Sequence, residues 1–292
     1  MSVSKSIWQS RATKLGEILA KEQKIISLPV SPFDVADNLE IQIKPLPPEK
    51  KGVSGMLLYS NNNFGIMYAS YLDNPGFENF CVGHEIGHYS IAGHPENILI
   101  KGQHISTAGF SSTNRYELEA DHFSAGLLMP SYLFDEHLNQ LEIGMKAINS
   151  LSNKCQTSLT ATAIRYAQRS PDAVAIIISE GDVIRYCFMS EEMSEIKGLN
   201  WIKKSSPVPP NTATYEFNKN NKNILDGNEA EGQTTLLDWF GSNLQFEIYE
   251  EIVGLGTYGK TLTVLSIEEF SDQEEIDEEN ELIESWTPRF KR

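Results

Sequence analysis

The feature that most constrains the fold of this sequence is a pair of histidines four residues apart. His84 and His88 lie in the stretch VGHEIGHYS, and Glu85 directly follows the first of them. Residues four apart in an α-helix lie one above the other on a single face, so both imidazoles can reach one metal ion. The stretch therefore predicts a helix that presents two metal ligands, with Glu85 close enough to contact a water molecule on the metal without being a ligand.

The H-E-x-x-H arrangement is typical of zinc peptidases, in which the glutamate acts as general base. Catalytic zinc normally takes three protein ligands, so a third must come from elsewhere in the chain. Residues 114–130, NRYELEADHFSAGLLMP, predict a second helix on which Glu117 and Asp121 share a face. We expect Glu117 to be the carboxylate ligand and Asp121 to orient a ligating histidine, while Glu119, the alternative ligand, points away as a surface charge.

Other candidate ligands are weaker. His94 has the spacing of the H-E-x-x-H-x-x-G-x-x-H peptidases, but the glycine of that pattern is replaced by Ile91, so we assign His94 no role. Cys81 lies one turn before the first motif histidine, and we interpret it as a packed core thiol. His104 and His122 are interpreted as surface or locally hydrogen-bonded histidines.

Together these motifs resemble the ImmA/IrrE-like metallopeptidases of bacteria and phages. The resemblance spans about residues 30–170 and rests on four stretches: GHEIGHYS, ELEADHFSAGLLMP, VSGMLLYSNNNFGIMYAS and SLTATAIRYA. It implies a gluzincin-like domain and a zinc-dependent endopeptidase that cleaves a helix-turn-helix transcriptional repressor, thereby relieving repression after stress or repression of a mobile element. By position, it implies that His84, His88 and Glu117 bind Zn²⁺ and that Glu85 is the catalytic base.

The pattern of apolar and polar residues predicts an α+β protein of three parts. Residues 1–134 would form the metallopeptidase domain, residues 135–170 a helical segment with a helix-turn-helix-like pattern, and residues 171–292 a small α+β C-terminal domain with an acidic tail. Before the motif helix, two apolar runs flank three asparagines, which predicts a β-hairpin. This hairpin either lies at the sheet edge beside the cleft, where it could pair with an extended substrate, or simply completes the sheet.

Composition excludes several partners. The chain has 24 Lys and Arg against 40 Asp and Glu, a formal charge of −16, which argues against binding to nucleic acid or to anionic membranes. No apolar run is long enough to span a bilayer, and the N-terminus lacks an apolar signal core. Three scattered cysteines fit free thiols in a reducing compartment, so we expect a cytoplasmic protein.

The C-terminal part contains GLGTYGKT, residues 254–261, which matches the letters of a phosphate-binding loop. Such loops work only where they open a helix, whereas the following TLTVLSI alternates as a strand does. We therefore expect a hairpin and no nucleotide binding. The polar residues 211–233 predict a loop. One competing function remains, a metal-dependent sensor or repressor-binding module with little or no proteolytic activity.

Overall fold

The computed structural model describes residues 3–47, 49–50, 52–71, 74–107, 114–242 and 246–267. Within these residues the chain divides into two compact units, the first formed by residues 1–142 and 146–166 and the second by residues 143–145 and 167–292. Each unit contains both helices and a β-sheet, which confirms the predicted α+β class. The predicted acidic tail, from residue 268 onward, lies outside the described residues.

The first unit contains the predicted hairpin and both predicted site helices. Its elements are, in chain order, α1 (Val3–Glu22), α2 (Pro32–Asn38), β1 (Gln42–Pro45), β2 (Val53–Ser60), β3 (Asn63–Tyr68), α3 (Pro75–Ser90), α4 (His94–Ile98), β4 (Gln103–Thr107), α5 (Arg115–Leu128), α6 (Ser131–Leu138), α7 (Met145–Cys155) and α8 (Leu159–Arg169).

Strands of the first unit form a sheet in the order β1-β3-β2-β4. β2 and β3 are antiparallel and turn at Asn61 and Asn62, which both have positive φ, so the predicted hairpin is confirmed. Both hairpin strands lie inside the sheet, however, and the expected edge position beside the site belongs to β4, which pairs with β2 on its other side. The hairpin therefore completes the sheet, which is the second of its two expected roles.

The motif helix α3 begins at Pro75 behind Asn74, whose side chain accepts a hydrogen bond from the amide of Phe77. α3 packs closely on α5 because glycines precede both motif histidines. A Cβ atom on Gly83 would lie 2.6 Å from Oγ of Ser124, and one on Gly87 would lie 3.1 Å from the ring of Phe123. This close approach brings the carboxylates of α5 within reach of the imidazoles of α3.

The helical segment that follows α5 is tied to the rest of the first unit by a buried ion pair. Arg165 of α8 is 4 % exposed, and its guanidinium donates to Glu17 of α1 at 2.5 Å and to the carbonyl of Met129 at 3.1 Å. The guanidinium of Arg165 is thus occupied inside the protein, in the helix that resembles a recognition helix. This fits a packing role for the segment, and the expected absence of DNA binding stays a prediction.

The second unit is built on an antiparallel sheet in the order β6-β5-β9-β8-β7. Its core packs apolar side chains of β5 and β9 with Trp239 and Phe240. None of the helices in the described ranges is long and apolar enough to cross a membrane. The elements are β5 (Val174–Glu180), β6 (Val183–Met189), α9 (Glu191–Glu195), α10 (Ala213–Asn218), α11 (Asn221–Leu225), β7 (Glu229–Thr235), α12 (Leu236–Phe240), β8 (Glu247–Gly254) and β9 (Thr261–Ser266).

Two predictions for this unit had opposite outcomes. The loop predicted for residues 211–233 is wrong, because α10, α11 and β7 occupy most of it. Thr212 and Asn220 cap the two short helices, and β7 is an edge strand whose exposed glutamates hide its strand character. The glycine-rich stretch is confirmed as a hairpin, with a 3-10 turn at Gly256–Tyr258 between β8 and β9.

Candidate metal centre

Helices α3 and α5 bring together the three residues expected to bind metal. Nε2 of His84 lies 3.0 Å from Nε2 of His88, and these two atoms lie 3.5 and 3.4 Å from the carboxylate oxygens of Glu117. In the described part of the chain, these three residues form a group whose ligand atoms all lie within 4.8 Å of one another. Both histidines are buried, and Glu117 is partly buried.

The donor set fits a tetrahedral metal ion. Ligand atoms about 2.0–2.2 Å from a tetrahedral zinc ion lie about 3.3–3.6 Å apart. Each histidine Nε2 lies 3.5 or 3.4 Å from a different oxygen of Glu117, and the two imidazole nitrogens are slightly closer, at 3.0 Å. Two imidazoles and one carboxylate are also the ligands of one class of catalytic zinc site, which leaves a fourth position for water or substrate. Helices α3 and α5 therefore place the side chains of His84, His88 and Glu117 close enough together to hold such an ion.

The ring of His84 is oriented by Asp121, as expected from the sequence. Nδ1 of His84 lies 2.8 Å from Oδ1 of Asp121, one turn after Glu117 on α5. A hydrogen bond donated from Nδ1 leaves the lone pair of Nε2 free for a metal. One face of α5 thus carries both the carboxylate that completes the donor set and the carboxylate that orients one of its histidines.

The ring of His88 is oriented by His94 and Glu119, neither of which was expected from the sequence to hold a ligand. Its Nδ1 lies 3.1 Å from Nδ1 of His94, and Nε2 of His94 lies 3.0 Å from Oε2 of Glu119. Arg115 donates two hydrogen bonds to the other oxygen of Glu119. The expectation that Glu119 is a surface charge is therefore wrong, because α4 brings His94 to the flank of α5 that carries Glu119.

His104, also interpreted as a surface or locally bonded residue, borders the site. It lies on β4, its Nε2 is 2.8 Å from Oε1 of Glu117, and its ring centre is 4.6 Å from that of His88. Its hydrogen bond joins residues on two different elements and holds a carboxylate of the donor set. The sequence contains no local signal for this role, since only the packing of β4 against α5 creates it. His122 instead is half-buried and packs edge-on against Trp8, a contact that was not expected from the sequence.

The Glu85 carboxylate is fully buried, and among the described residues neither oxygen has a hydrogen bond of normal geometry; the hydroxyl of Ser106, also left without one, lies close enough to favour the charged form of Glu85. The carboxylate faces the sheet at Gly55 and Ser106, a cross-strand pair of β2 and β4. A Cβ atom at Gly55 would overlap Oε1 of Glu85, so only glycine leaves room for the carboxylate there. Buried carboxylates are normally hydrogen-bonded, and an unsatisfied one beside three potential metal ligands fits an outside partner such as water.

The protonation states of the three donor residues favour binding of a cation. Burial opposes protonation of His84, but its bonds to Asp121 and Glu117 outweigh this and raise its pKa to about 10. Burial lowers the pKa of His88 to about 3, so its ring is neutral at pH 7. Burial also acts to raise the pKa of Glu117, but hydrogen bonds from His104 and His84 hold it well below its usual range. A bound metal ion would take the place of the proton on His84.

Two groups beside the donor set, Glu85 and Cys81, have pKa values that are raised by burial. Burial, only partly offset by the charge of His84, raises the pKa of Glu85 to about 7. Burial and the charge of Glu85 raise the pKa of Cys81 far above its usual range, so its thiol is neutral. Cys81 is also 2 % exposed and does not belong to the group of described residues able to hold a metal, which fits the core thiol predicted from the sequence.

Comparisons with known proteins agree with this geometry. Residues 36–166 match the family model of peptidase family M78, the IrrE N-terminal-like domain. No curated protein sequence matches the chain. Among solved structures, a Mycobacterium tuberculosis transcriptional regulator is similar in fold, with a TM-score of 0.56 and 12 % sequence identity over 88 % of this chain and 76 % of that one. The resemblance recognised from the two helix motifs is thereby confirmed over residues 36–166, which are similar to the IrrE N-terminal-like domain of metal-dependent peptidases.

Proposed function

We propose that this protein is a cytoplasmic zinc-dependent endopeptidase. His84, His88 and Glu117 bind Zn²⁺, and Glu85 is the general base. The observation that carries the proposal is the fully buried carboxylate of Glu85, which directly follows His84 in the donor set and whose oxygens lack a hydrogen bond of normal geometry in the described residues. A fold that needed Glu85 only for stability would give it hydrogen-bond donors, because an unpaired buried carboxylate is costly.

Zn²⁺ held there would polarise the scissile carbonyl and acidify a water molecule. The protein residues then have separate tasks. An oxygen of Glu85 accepts a proton from the attacking water and afterwards delivers it to the leaving nitrogen. Asp121 and His94 hold the two histidine rings, while His104 holds Glu117. Burial of the Glu85 carboxylate, with a pKa near neutrality, suits both directions of proton transfer.

The substrate class in this proposal is a helix-turn-helix transcriptional repressor, and its cleavage would relieve repression. This part comes from the family resemblance, and similarity in fold to a transcriptional regulator is compatible with it. The net charge of −16 favours a protein partner with basic surfaces, as DNA-binding repressors have.

The test compares the wild type with Glu85→Gln, Glu117→Gln and the exposed control Glu96→Gln. Each purified protein is stripped of metal, reloaded with Zn²⁺ and incubated with a proteome-derived peptide library, and cleavage is read by mass spectrometry. Wild type and Glu96→Gln should hold one zinc ion and cleave. Glu85→Gln should hold zinc without cleaving, and Glu117→Gln should lose zinc. Equal cleavage by Glu85→Gln would refute the proposal.

A second candidate function is a metal-dependent sensor or repressor-binding module, which the similarity in fold to a transcriptional regulator also fits. The two functions can be distinguished in cells of the source organism that express either the wild type or Glu85→Gln. A peptidase produces new N-termini in a repressor only with the wild-type protein. If transcription responds equally to both proteins and no new N-termini form, the binding module is correct.

A further inference from the structure

A chain of hydrogen bonds leads from the proposed metal site toward the protein surface. It begins at Nδ1 of His88, passes through both ring nitrogens of His94 and reaches Oε2 of Glu119, with separations of 3.1 and 3.0 Å. The other oxygen of Glu119 accepts from Nε and Nη2 of Arg115 at 3.0 and 2.9 Å. His94 is 1 % exposed, whereas the side chain of Arg115 is 67 % exposed and its guanidinium lies over the ring of Trp8.

The chemistry of the chain allows one arrangement of protons on neutral rings. The Glu119 carboxylate only accepts, so Nε2 of His94 must carry a hydrogen and donate it. Nδ1 of His94 is then the acceptor, and Nδ1 of His88 must be the donor. Consequently Nε2 of His88, the atom 3.4 Å from Glu117, keeps its lone pair. If Nδ1 of His94 donated to His88 instead, the lone pair on Nε2 of His94 would face the carboxylate of Glu119, which is unfavourable.

From these contacts we infer that His94 and Glu119 are positioning residues of the proposed zinc site. They act through His88, holding its ring in the tautomer and orientation that metal binding needs. This inference rests on the proposed function, and it assigns a role to two residues that the donor set itself does not contain. His84 has a direct carboxylate partner in Asp121, whereas His88 reaches its carboxylate through a second imidazole.

The geometry also separates His94 from the metal ligands. Its Nδ1 is committed to His88 and its Nε2 to Glu119, so neither ring nitrogen is free for an ion. In the described residues the group able to hold a metal comprises His84, His88 and Glu117 without His94. His94 therefore occupies a place in sequence that other zinc peptidases use for a third histidine ligand, but it contacts a ligand instead of the ion.

Two substitutions of His94 separate the effects of its two hydrogen bonds, because each variant retains one bond and loses the other. The side-chain oxygen of asparagine lies near the position of Nδ1, so His94→Asn retains an acceptor for His88 and loses the bond to Glu119. The amide nitrogen of glutamine lies near Nε2, so His94→Gln retains a donor to Glu119 and leaves His88 without its acceptor. A purely structural role gives no reason for these two similar amides to differ. His137→Asn and His137→Gln, at a half-buried histidine on α6, are the matched controls.

The first measurement is Zn²⁺ affinity by competition with a chromophoric chelator, together with thermal unfolding of each metal-free protein. Loss of a partner that orients a metal ligand typically weakens metal binding about 10–100-fold. We expect that loss in His94→Gln, a loss of less than about threefold in His94→Asn, and an intermediate loss in Glu119→Gln. Both His137 controls should bind Zn²⁺ as the wild type does.

The second measurement is the ¹⁵N spectrum of the imidazoles in the zinc-loaded and metal-free proteins. His88 should show a hydrogen on Nδ1 in both states of the wild type and of His94→Asn, and a mixture of tautomers in metal-free His94→Gln. Equal zinc affinities and equal tautomers in the two His94 variants would overturn the inference. So would loss of all zinc from both variants while Glu117→Gln retained it, since His94 would then be a ligand.

These outcomes are distinct from failure of the proposed function. If the wild type binds zinc and cleaves the peptide library while the His94 variants bind zinc equally well, only the positioning role is wrong. If the wild type holds no zinc, or if Glu85→Gln cleaves as well as the wild type, the proposed endopeptidase itself is wrong.

Discussion

Two buried glutamates, one in each unit, have opposite surroundings. Glu250 on β8 is fully buried and accepts hydrogen bonds from the amides of Ala213 and Thr214, the hydroxyl of Thr214 and the indole of Trp239. Glu85 on α3 is equally buried, but among the described residues it faces only the hydroxyl of Ser106, and neither of its oxygens has a hydrogen bond of normal geometry. A carboxylate whose donors come from its own fold joins elements together, whereas one without such donors is prepared for a partner from outside.

Removing the charge at Glu85 should give the largest effect. Glu85→Gln should reduce the turnover of a peptide from the library about 10²–10⁴-fold, the usual contribution of a general base. The free energy of unfolding should be unchanged or higher, because the variant buries no carboxylate. Kinetic assays and denaturant unfolding of the zinc-loaded protein measure both quantities, with Glu96→Gln as control. A large loss of stability would mean that Glu85 resembles Glu250 after all.

The same substitution at Glu250 should do the reverse. Glu250→Gln replaces one accepting oxygen by an amide that meets hydrogen-bond donors, so the free energy of unfolding should fall by about 2–3 kcal/mol. Zinc content and peptide cleavage should remain unchanged, since Glu250 belongs to the second unit. Glu247→Gln, an exposed glutamate on the same strand, should cost less than about 0.5 kcal/mol. If Glu250→Gln is as stable as this control, Glu250 does not stabilise the fold and the contrast with Glu85 is wrong.

The pH dependence of stability sharpens the comparison further. Burial raises the pKa of Glu85 from an ordinary value of 4.5 to about 7, so folding favours its protonated form. Its contribution to stability is complete below about pH 4.5 and is lost as the pH rises through 7, a change of about 3 kcal/mol. Denaturant unfolding of the metal-free wild type and of Glu85→Gln, which does not titrate there, isolates this contribution. If the free energy of unfolding changes with pH in the same way in both proteins, the raised pKa of Glu85 makes no such contribution.

The smallest effect concerns the space around Glu85. Gly55→Ala places a methyl group against Oε1 of Glu85 and should displace the carboxylate, reducing peptide turnover about tenfold, as a misplaced catalytic group does. Gly65→Ala on the neighbouring strand is the control, because its Cβ atom would lie 3.5 Å from the nearest atom, an ordinary contact. Turnover that is equal in the two variants would show that the carboxylate does not need this space.

The sequence predicts the parts of the site that depend on helical spacing. His84 and His88, and likewise Glu117 and Asp121, are four residues apart, and that spacing alone places each pair on one face of a helix. Asn114 caps the second helix at the residue where the sequence predicts that this helix begins. These features need no knowledge of which elements meet in the fold.

The parts that could not be predicted depend on contacts between elements. Glu119 lies on another flank of α5 than Glu117, and it is buried only because α4 supplies His94 there. His104 joins the site because β4 lies at the edge of the sheet beside α5. In the second unit, β7 lacks the apolar alternation of a strand because one side of it has no described neighbour.

Helix α5 carries three carboxylates within two turns, and each contacts a different histidine of α3, α4 or β4. Insertion of a single residue before Glu117 would rotate all three by about 100° and break every one of these contacts at once. The site is therefore assembled or lost as a whole, and occupancy by metal reports how firmly α5 is docked. By mass action, a free metal ion at 100 times its dissociation constant would stabilise that docked arrangement by about 2.7 kcal/mol, so the population of the folded first unit would rise with the concentration of free metal.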